Sequence, residues 1–333
     1  MNHIYPYQLM IHPRICRLIL QCSLREKVCF DLFQPSPSEL QFDLFFSAYQ
    51  SPRVQFVQVW QVALKFGDEH QPDRLSALLL SSFPREDCGT LDSLSIHGQY
   101  IAFGIERHSD PEMYSYVSTV NWSEADHMNR LPTHSLAYPR KIITCFKSPD
   151  DIRLLPGERV SVFAGKAINI YDLSAIKQTS TIPPLLISRR PIYTPPIWTD
   201  STHVRCKSLS RVYSSPQSDT IRLTGVSRNG VWGLILILPL DGVKPKPKFV
   251  KLMDVILPNV TRYLSGYNNA VIHGRTPRLE VLNFSWLDDI SNFSNHLTAQ
   301  LDGEFGTQYM SAFDETSGRV AIIEQGELVV FDF

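Results

Sequence analysis

The chain has 333 residues, 43% of them hydrophobic, and is nearly charge-balanced: Lys+Arg 32 against Asp+Glu 33, for a formal net charge of -1. That length supports a large core without metals or disulfides, and the charge balance supplies no global field for nucleic-acid phosphates or an anionic membrane. The longest apolar stretch, Gly230 to Leu240, has about half the length of a membrane-spanning helix, and the opening MNHIYPYQLMIHPRI lacks the basic start and apolar run of a secretory signal, so cytoplasm or nucleus is the expected compartment.

In chain order, residues 1–50 form an ambiguous start. Ile15, Leu18, Ile19 and Cys22 fit a helical stripe, while Arg14 to Gln21 (RICRLILQ) reads equally well as a strand. From Val54 to Phe66 the pattern is period-2: Val54, Phe56, Trp60, Val62, Leu64 and Phe66 place an apolar stripe on one face, broken only by Gln58. Leu94 to Asn121 reads as a strand, a Gly98 turn, QYIAFGIE and YSYVSTVN. Asp151 to Leu173 repeats that layout, with turns at Pro156-Gly157 and Gly165-Lys166 and Tyr171-Asp172 at the end.

A Pro-rich loop insertion is expected over residues 182–219, marked by Pro183-Pro184 and Pro195-Pro196, and Lys244 to Lys248 (KPKPK) marks a further loop, because proline lacks the amide donor a central strand needs. Between and beyond them come Ile221 to Asp241, with an Asn229-Gly230 turn, and Arg262 to Asn283, with an Asn268-Asn269 turn. Trp286 to Leu301 has room for a short helix. Tyr309 to Phe333 closes the chain as a three-stranded meander with turns at Thr316 to Gly318 and Gln325-Gly326.

These segments are copies of one layout, with outer ends at Gln61, Asn121, Asp172, Asp241, Asn283 and Asp332. Successive ends lie roughly 40–70 residues apart, against the ~40–50 residues of a four-stranded propeller blade, and the longest interval contains the Pro-rich insertion. A two-sheet sandwich would use the same turn spacing, but repeats of this length need a stack of similar units to bury each unit's second face. The predicted fold is all-β: a single β-propeller-like domain over residues 1–333 with about six to seven blades, closed or as an incomplete ring.

Tyr171-Asp172 and Phe331-Asp332 stand where WD-repeat blades carry Trp-Asp, so the units resemble degenerate WD-repeat blades, without the Trp-Asp itself and without the Gly-His pair. The run Ser148 to Pro156 before INIYDL, the segment RYLSGYNNAVIHG and the closing SGRVAIIEQGELVVFDF resemble the C-terminal propeller-like region of F-box-domain proteins of mushroom-forming (basidiomycete) fungi. The resemblance runs from about Leu91 to Phe333 and implies a substrate-recognition region. It also implies cullin-type ubiquitin ligase components as partners where an F-box lies upstream. Residues 1–50 contain no Leu-Pro-x-Glu, the opening of an F-box, so the ligase-docking part is expected to be missing from this chain.

No G-x-S-x-G elbow, phosphate-cradling glycine loop or H-E-x-x-H motif is present, and none of Cys16, Cys22, Cys29, Cys88, Cys145 and Cys206 forms a C-x-x-C. Asp200, His203 and Asp219 read as solvated loop residues, and His97 and His273 as turn or strand-end residues. The N-x-S/T triplets beginning at Asn121, Asn259, Asn283 and Asn292 read as chance in a chain without a secretory signal. Of Trp60, Trp122, Trp198, Trp232 and Trp286, most belong in the core; Trp198, following Pro195-Pro196 in a loop, is the expected exposed anchor. Arg189 and Arg190 are the accompanying partner-binding residues, while Lys244 to Lys248 read as solvation and protection of a strand edge. The expected function is a non-enzymatic protein–protein interaction propeller with no cofactor, no metal, no nucleic acid and no membrane. The alternatives are a propeller enzyme of lactonase or hydrolase type with a metal in its channel, and a small-molecule or sugar-binding propeller.

Overall fold

The structure is a computed structural model that describes residues 9–12, 15–19, 28–36, 39–51, 54–66, 72–85, 90–106, 115–129, 138–145, 147–179, 193–201, 208–210, 212–214, 220–237, 246–256, 260–274, 278–286, 295–300, 310–314, 319–324 and 327–332. It is all-β: the described strands form six separate antiparallel sheets of four or five strands each. The chain divides into two compact units, residues 1–22 with 203–333, and residues 23–202. No described helix is long and apolar enough to cross a membrane.

Unit 23–202 holds three sheets. The first is a meander of Val28–Ser36, Glu39–Ser51, Val54–Phe66 and Pro72–Arg85. In the second, Thr90–His97, Tyr100–Glu106, Ser115–Asn121 and Arg140–Cys145 meander in order, with Gln178–Thr179 added outside. The third runs Asp151–Leu155, Arg159–Ala164, Ala167–Asp172, Trp198–Ser201.

Alternation along each strand sends successive side chains to opposite faces, and both faces are used. Leu94, Ile96, Ile101, Phe103, Tyr116 and Val120 turn one way, into a core cluster with Val57, Val59 and Phe83. Ala102, Val117, Ile143 and Cys145 turn the other way, against Ile152, Leu154, Val160 and Val162 of the next sheet. The helix Trp122–Asn129 adds Ala125 to the first cluster.

Burial on both faces also corrects the expected single stripe on Val54–Phe66. Val57 and Val59 are buried, and so are Trp60 and Val62 on the alternate face. The switch falls where the pairing with Pro72–Arg85 shifts, between Val59↔Ser81 and Trp60↔Leu79. Gln61 therefore lies inside a strand and marks no end.

In unit 1–22 with 203–333, one sheet runs Thr220–Ser227, Gly230–Ile237, Lys246–Met253, with the short strands Ser208–Leu209 and Tyr213–Ser214 both paired to the first. A second is the meander Val260–Ser265, Asn269–Gly274, Arg278–Asn283, Asn295–Gln300. The third joins the two ends of the chain. Met310–Asp314, Arg319–Glu324 and Glu327–Asp332 are completed by Ile15–Ile19 and Leu9–His12, with Arg17 opposite Val329 and Leu18 opposite Leu328.

Of the two readings open at the start of the chain, residues 15–19 take the strand, because RICRLILQ is rich in aliphatic residues and finds an open edge to pair with. Three expectations are corrected here. The short helix expected between Trp286 and Leu301 is absent where described: Asn295–Gln300 is an edge strand on Arg278–Asn283. The lysine–proline run is partly strand as well, since Lys246–Met253 is the outermost strand of its sheet, a place where a proline is tolerated. The predicted insertion over 182–219 likewise contains Trp198–Ser201, Ser208–Leu209 and Tyr213–Ser214.

Four of the six expected ends share one register, while the expected end at Asp241 lies outside the described residues. Asn121, Asp172, Asn283 and Asp332 are each the last residue of the third strand in their sheets, and each pairs with the first residue of the second: Tyr100, Arg159, Asn269 and Arg319. The next residue then donates its amide to the turn between strands one and two: Trp122 to Gln99 at 3.1 Å, Leu173 to Glu158 at 2.8 Å, and Phe284 to Asn268 at 2.8 Å.

Candidate interaction site

In unit 1–22 with 203–333, four side chains converge from four separate segments. Tyr213 lies directly opposite Arg222 on the neighbouring strand. Tyr267 occupies the turn between Val260–Ser265 and Asn269–Gly274, and Trp286 follows the strand Arg278–Asn283. The turn is fixed by backbone and side-chain bonds: Gly266 N donates to Asn269 O at 2.7 Å, and the Thr224 hydroxyl donates to the Gly266 carbonyl. Trp286 Nε1 donates to the Tyr267 carbonyl at 3.0 Å, which seats the indole beneath the turn with no exposure. Gly233 makes room for it, since a Cβ there would lie 2.5 Å from Trp286 Cζ3.

On this buried indole stand half-buried groups. The Tyr267 ring is 5.6 Å from Trp286, and Tyr213 meets Tyr267 edge-on at 5.1 Å. The Arg222 guanidinium lies 5.0 Å from the Trp286 ring centre and 5.8 Å from that of Tyr267, and its Nη1 donates to the Tyr267 hydroxyl. Stacking and the hydrogen bond hold the guanidinium plane in place, so its recognition of a planar anionic or carbonyl group costs little further ordering. Tyr, Trp and Arg over a desolvated base are the residue types that dominate binding hot spots.

A second polar group lies in unit 23–202, across two adjacent sheets. Glu158 has a φ of 51, in the left-handed region, at the turn after Gly157. Its carboxylate accepts from the Tyr100 hydroxyl at 3.4 Å and from Lys141 Nζ at 3.3 Å. Partial burial, then the neighbouring Glu158 charge, raises the Tyr100 hydroxyl above its ordinary value. These contacts tie one sheet to the next and position no reacting group.

Trp198 stands at the head of an edge strand, opposite Ile170, and is half-buried rather than looped out. The bonds of Ile197 N to Ile170 O at 2.8 Å and of Thr199 Oγ1 to Asn169 Oδ1 at 2.7 Å dock this segment onto the sheet. Arg189, Arg190, His203 and Asp219 lie outside the described residues, as do Asn259 and Asn292. Asp200 is in the same edge strand as Trp198, and His97 and His273 end or lie within strands. Among the described residues no group of three or more His, Cys, Asp or Glu side chains is placed to hold a metal ion.

Sequence reasoning missed the Arg222 cluster because its members are up to 73 residues apart, from Tyr213 to Trp286. The one local signal was the turn sequence Ser265-Gly266-Tyr267-Asn268, a tyrosine at a position where turns ordinarily carry small polar residues. No protein-family model matches the chain, and no curated protein matches it.

Proposed function

We propose that the chain is a six-bladed β-propeller that binds another protein, with Tyr213, Arg222 and Tyr267 as the anchor. Six antiparallel sheets of at least four strands support this reading, as does the Asn or Asp that closes the third strand in four of them. The pairing of Ile15–Ile19 with Glu327–Asp332 also supports it, because it completes a sheet from both chain ends, as ring closure in a propeller requires. The observation that carries the interaction reading is the stacked, half-buried Tyr213–Tyr267–Arg222 group on a fully buried Trp286. By its resemblance to the propeller-like region of fungal F-box proteins, the partner class is a substrate protein, with cullin-adaptor subunits joining where an F-box is supplied.

The test is a pull-down of the tagged protein from its own cells, run side by side with Arg222→Ala and Tyr267→Ala and scored by mass spectrometry. Stable partners retained by the wild type and lost by both variants are the expected result. Partners captured equally by all three would remove the cluster from the interface. Cullin-adaptor subunits among the captured proteins would place the chain in ubiquitin ligation, and their absence beside other stable partners would place it outside.

A further inference from the structure

The strand Pro72–Arg85 is the outer edge of its sheet: it pairs with Val54–Phe66, and no described strand lies on its other side. Its later part is covered, with Leu80 and Phe83 packed in the core cluster and the Ser81 hydroxyl donating to the Trp122 carbonyl at 2.8 Å. The run Ser76–Leu79 is exposed at every residue, Leu78 at 60% and Leu79 at 40%.

Sheet edges are ordinarily blunted by lysine, proline or shortness. Lys246–Met253 begins Lys-Pro-Lys, and Trp198–Ser201 is only 4 residues long. In the strand Pro72–Arg85 the prolines are at its two ends, at Pro72 and Pro84, and the two register shifts fall on either side of Ser76-Ala77-Leu78-Leu79, so that run itself has none of these devices.

The charges at the same end point to what fills the edge. Exposed Lys65 and Arg74 are directly opposite each other, and Glu39 is opposite Lys65 on the inner side. The row across the sheet therefore reads acidic, basic, basic and stops at the open edge. Like charges directly opposite each other destabilise a strand pair, and an acidic residue on a further strand, opposite Arg74, would restore alternation.

We propose that residues 74–79 are a β-addition site for an extended, acidic–apolar peptide segment of a partner protein. The segment pairs antiparallel, with Asp or Glu opposite Arg74 and an apolar residue opposite Leu78. That apolar residue then comes four positions before the acid in the peptide. Main-chain bonds to the edge supply the affinity, and the alternate side chains supply the selectivity. The site is separate from the Arg222 cluster, and neither depends on the other.

The test pans a phage-displayed library of random short peptides against the full chain. Enriched peptides are expected to carry an apolar residue four positions before an acid, and to bind Leu78→Lys at least about tenfold more weakly. Arg74→Glu is expected to turn the preferred acid into Lys or Arg. Both substitutions are at exposed positions; Leu78→Ser replaces Leu78→Lys if the latter loses its thermal melt. Peptides that bind wild type and Leu78→Lys alike would overturn the proposal. So would a charge preference unmoved by Arg74→Glu, a library that enriches nothing, or self-association of the chain abolished by Leu78→Lys, which would give the edge to a second copy.

Discussion

Asn121 and Asp172 hold the same place in two successive sheets of unit 23–202, and their side chains do the same thing there. Asn121 Oδ1 accepts the Ser123 amide at 3.2 Å and its hydroxyl at 2.9 Å; Asp172 Oδ1 accepts the Ser174 amide at 2.8 Å and its hydroxyl at 2.6 Å. Each ends its third strand with an Asx turn, while the apolar residue between, Trp122 or Leu173, closes onto the preceding hairpin. The triplet Asn283-Phe284-Ser285 repeats the spelling and the closing bond of Phe284. One of the N-x-S triplets that read as chance glycosylation signals, that at Asn121, is therefore a turn signal of the repeat, and the aspartate version shows that the carboxamide is not what the position requires.

It follows that Asn121→Asp and Asp172→Asn keep the fold, whereas Asn121→Ala and Asp172→Ala each lose about 1 kcal/mol through the missing side-chain acceptor. Chemical denaturation of the four variants checks this. Equal losses for the Asp/Asn exchanges and the alanines would show that the Oδ1 bonds carry nothing.

Asp172 also gives the turn a pH dependence that Asn121 lacks. The Ser174 hydroxyl, ahead of the opposing effect of partial burial, holds the Asp172 carboxyl below its ordinary value. A carboxyl whose folded value is depressed contributes stability above its unfolded value and loses it as pH falls through the folded one. Asp172→Asn is therefore expected to flatten the acid limb of a stability–pH curve while leaving neutral pH nearly unchanged. A parallel acid limb in the variant would assign that limb to other carboxyls.

These turns also show how far the sequence could be read. Alternating strands between turn residues made the all-β class legible, and the D/N-ended third strands made the repeat legible, because both are local in sequence. What escaped was set by partners distant along the chain. The choice between helix and strand at residues 15–19 fell to the edge that Glu327–Asp332 offers, and Pro247 joined a strand because that strand is outermost. Gln61 failed as an end because Val54–Phe66 is buried on both faces and runs on to Phe66. The Arg222 cluster joins segments that no window spans together.

Glu158 tests whether its left-handed backbone is held by its contacts. With a φ of 51 it has a conformation that glycine adopts freely and other residues adopt at a cost of about 1 kcal/mol or more. Glu158→Ala keeps that cost and removes the acceptor for Tyr100 and Lys141; Glu158→Gly removes both. The glycine variant is therefore expected to be the more stable of the two by about 0.5–1 kcal/mol. An alanine variant as stable as the glycine one would mean that the turn relaxes out of the left-handed region.

Gly233 tests the seat of the candidate anchor. It stands mid-strand, where glycine is ordinarily a weakness, yet a Cβ there would lie 2.5 Å from Trp286 Cζ3, 2.7 Å from Cη2 and 2.9 Å from Val250 Cγ2. The indole cannot retreat without breaking its bond to the Tyr267 carbonyl. Gly233→Ala is expected to cost about 1–3 kcal/mol as overpacking and to shift Trp286 fluorescence, while Trp286→Leu together with Gly233→Ala recovers part of the stability. Additive losses in the double variant would mean that the two positions do not share one space.

Cys145 is 5% exposed on Arg140–Cys145, and burial pushes its thiol up to about 12 against a smaller opposing effect from Tyr171. The reactive species is the thiolate, so the folded protein at neutral pH presents almost none of it at this position. The same neighbourhood raises the Tyr171 hydroxyl, first through burial and then through Cys145. Alkylation with iodoacetamide followed by peptide mass spectrometry is expected to leave Cys145 unmodified in the native protein and fully modified in denaturant. Because both groups are neutral when folded and their folded values are raised, stability from a neutral Cys145 persists until pH passes its unfolded value, then declines as the unfolded thiol ionises and the folded one cannot. Cys145→Ala removes that alkaline decline at the cost of a small cavity, so its stability curve should cross that of the wild type as pH rises. Native-state alkylation of Cys145 at neutral pH would mean instead that the sheet opens locally at this strand.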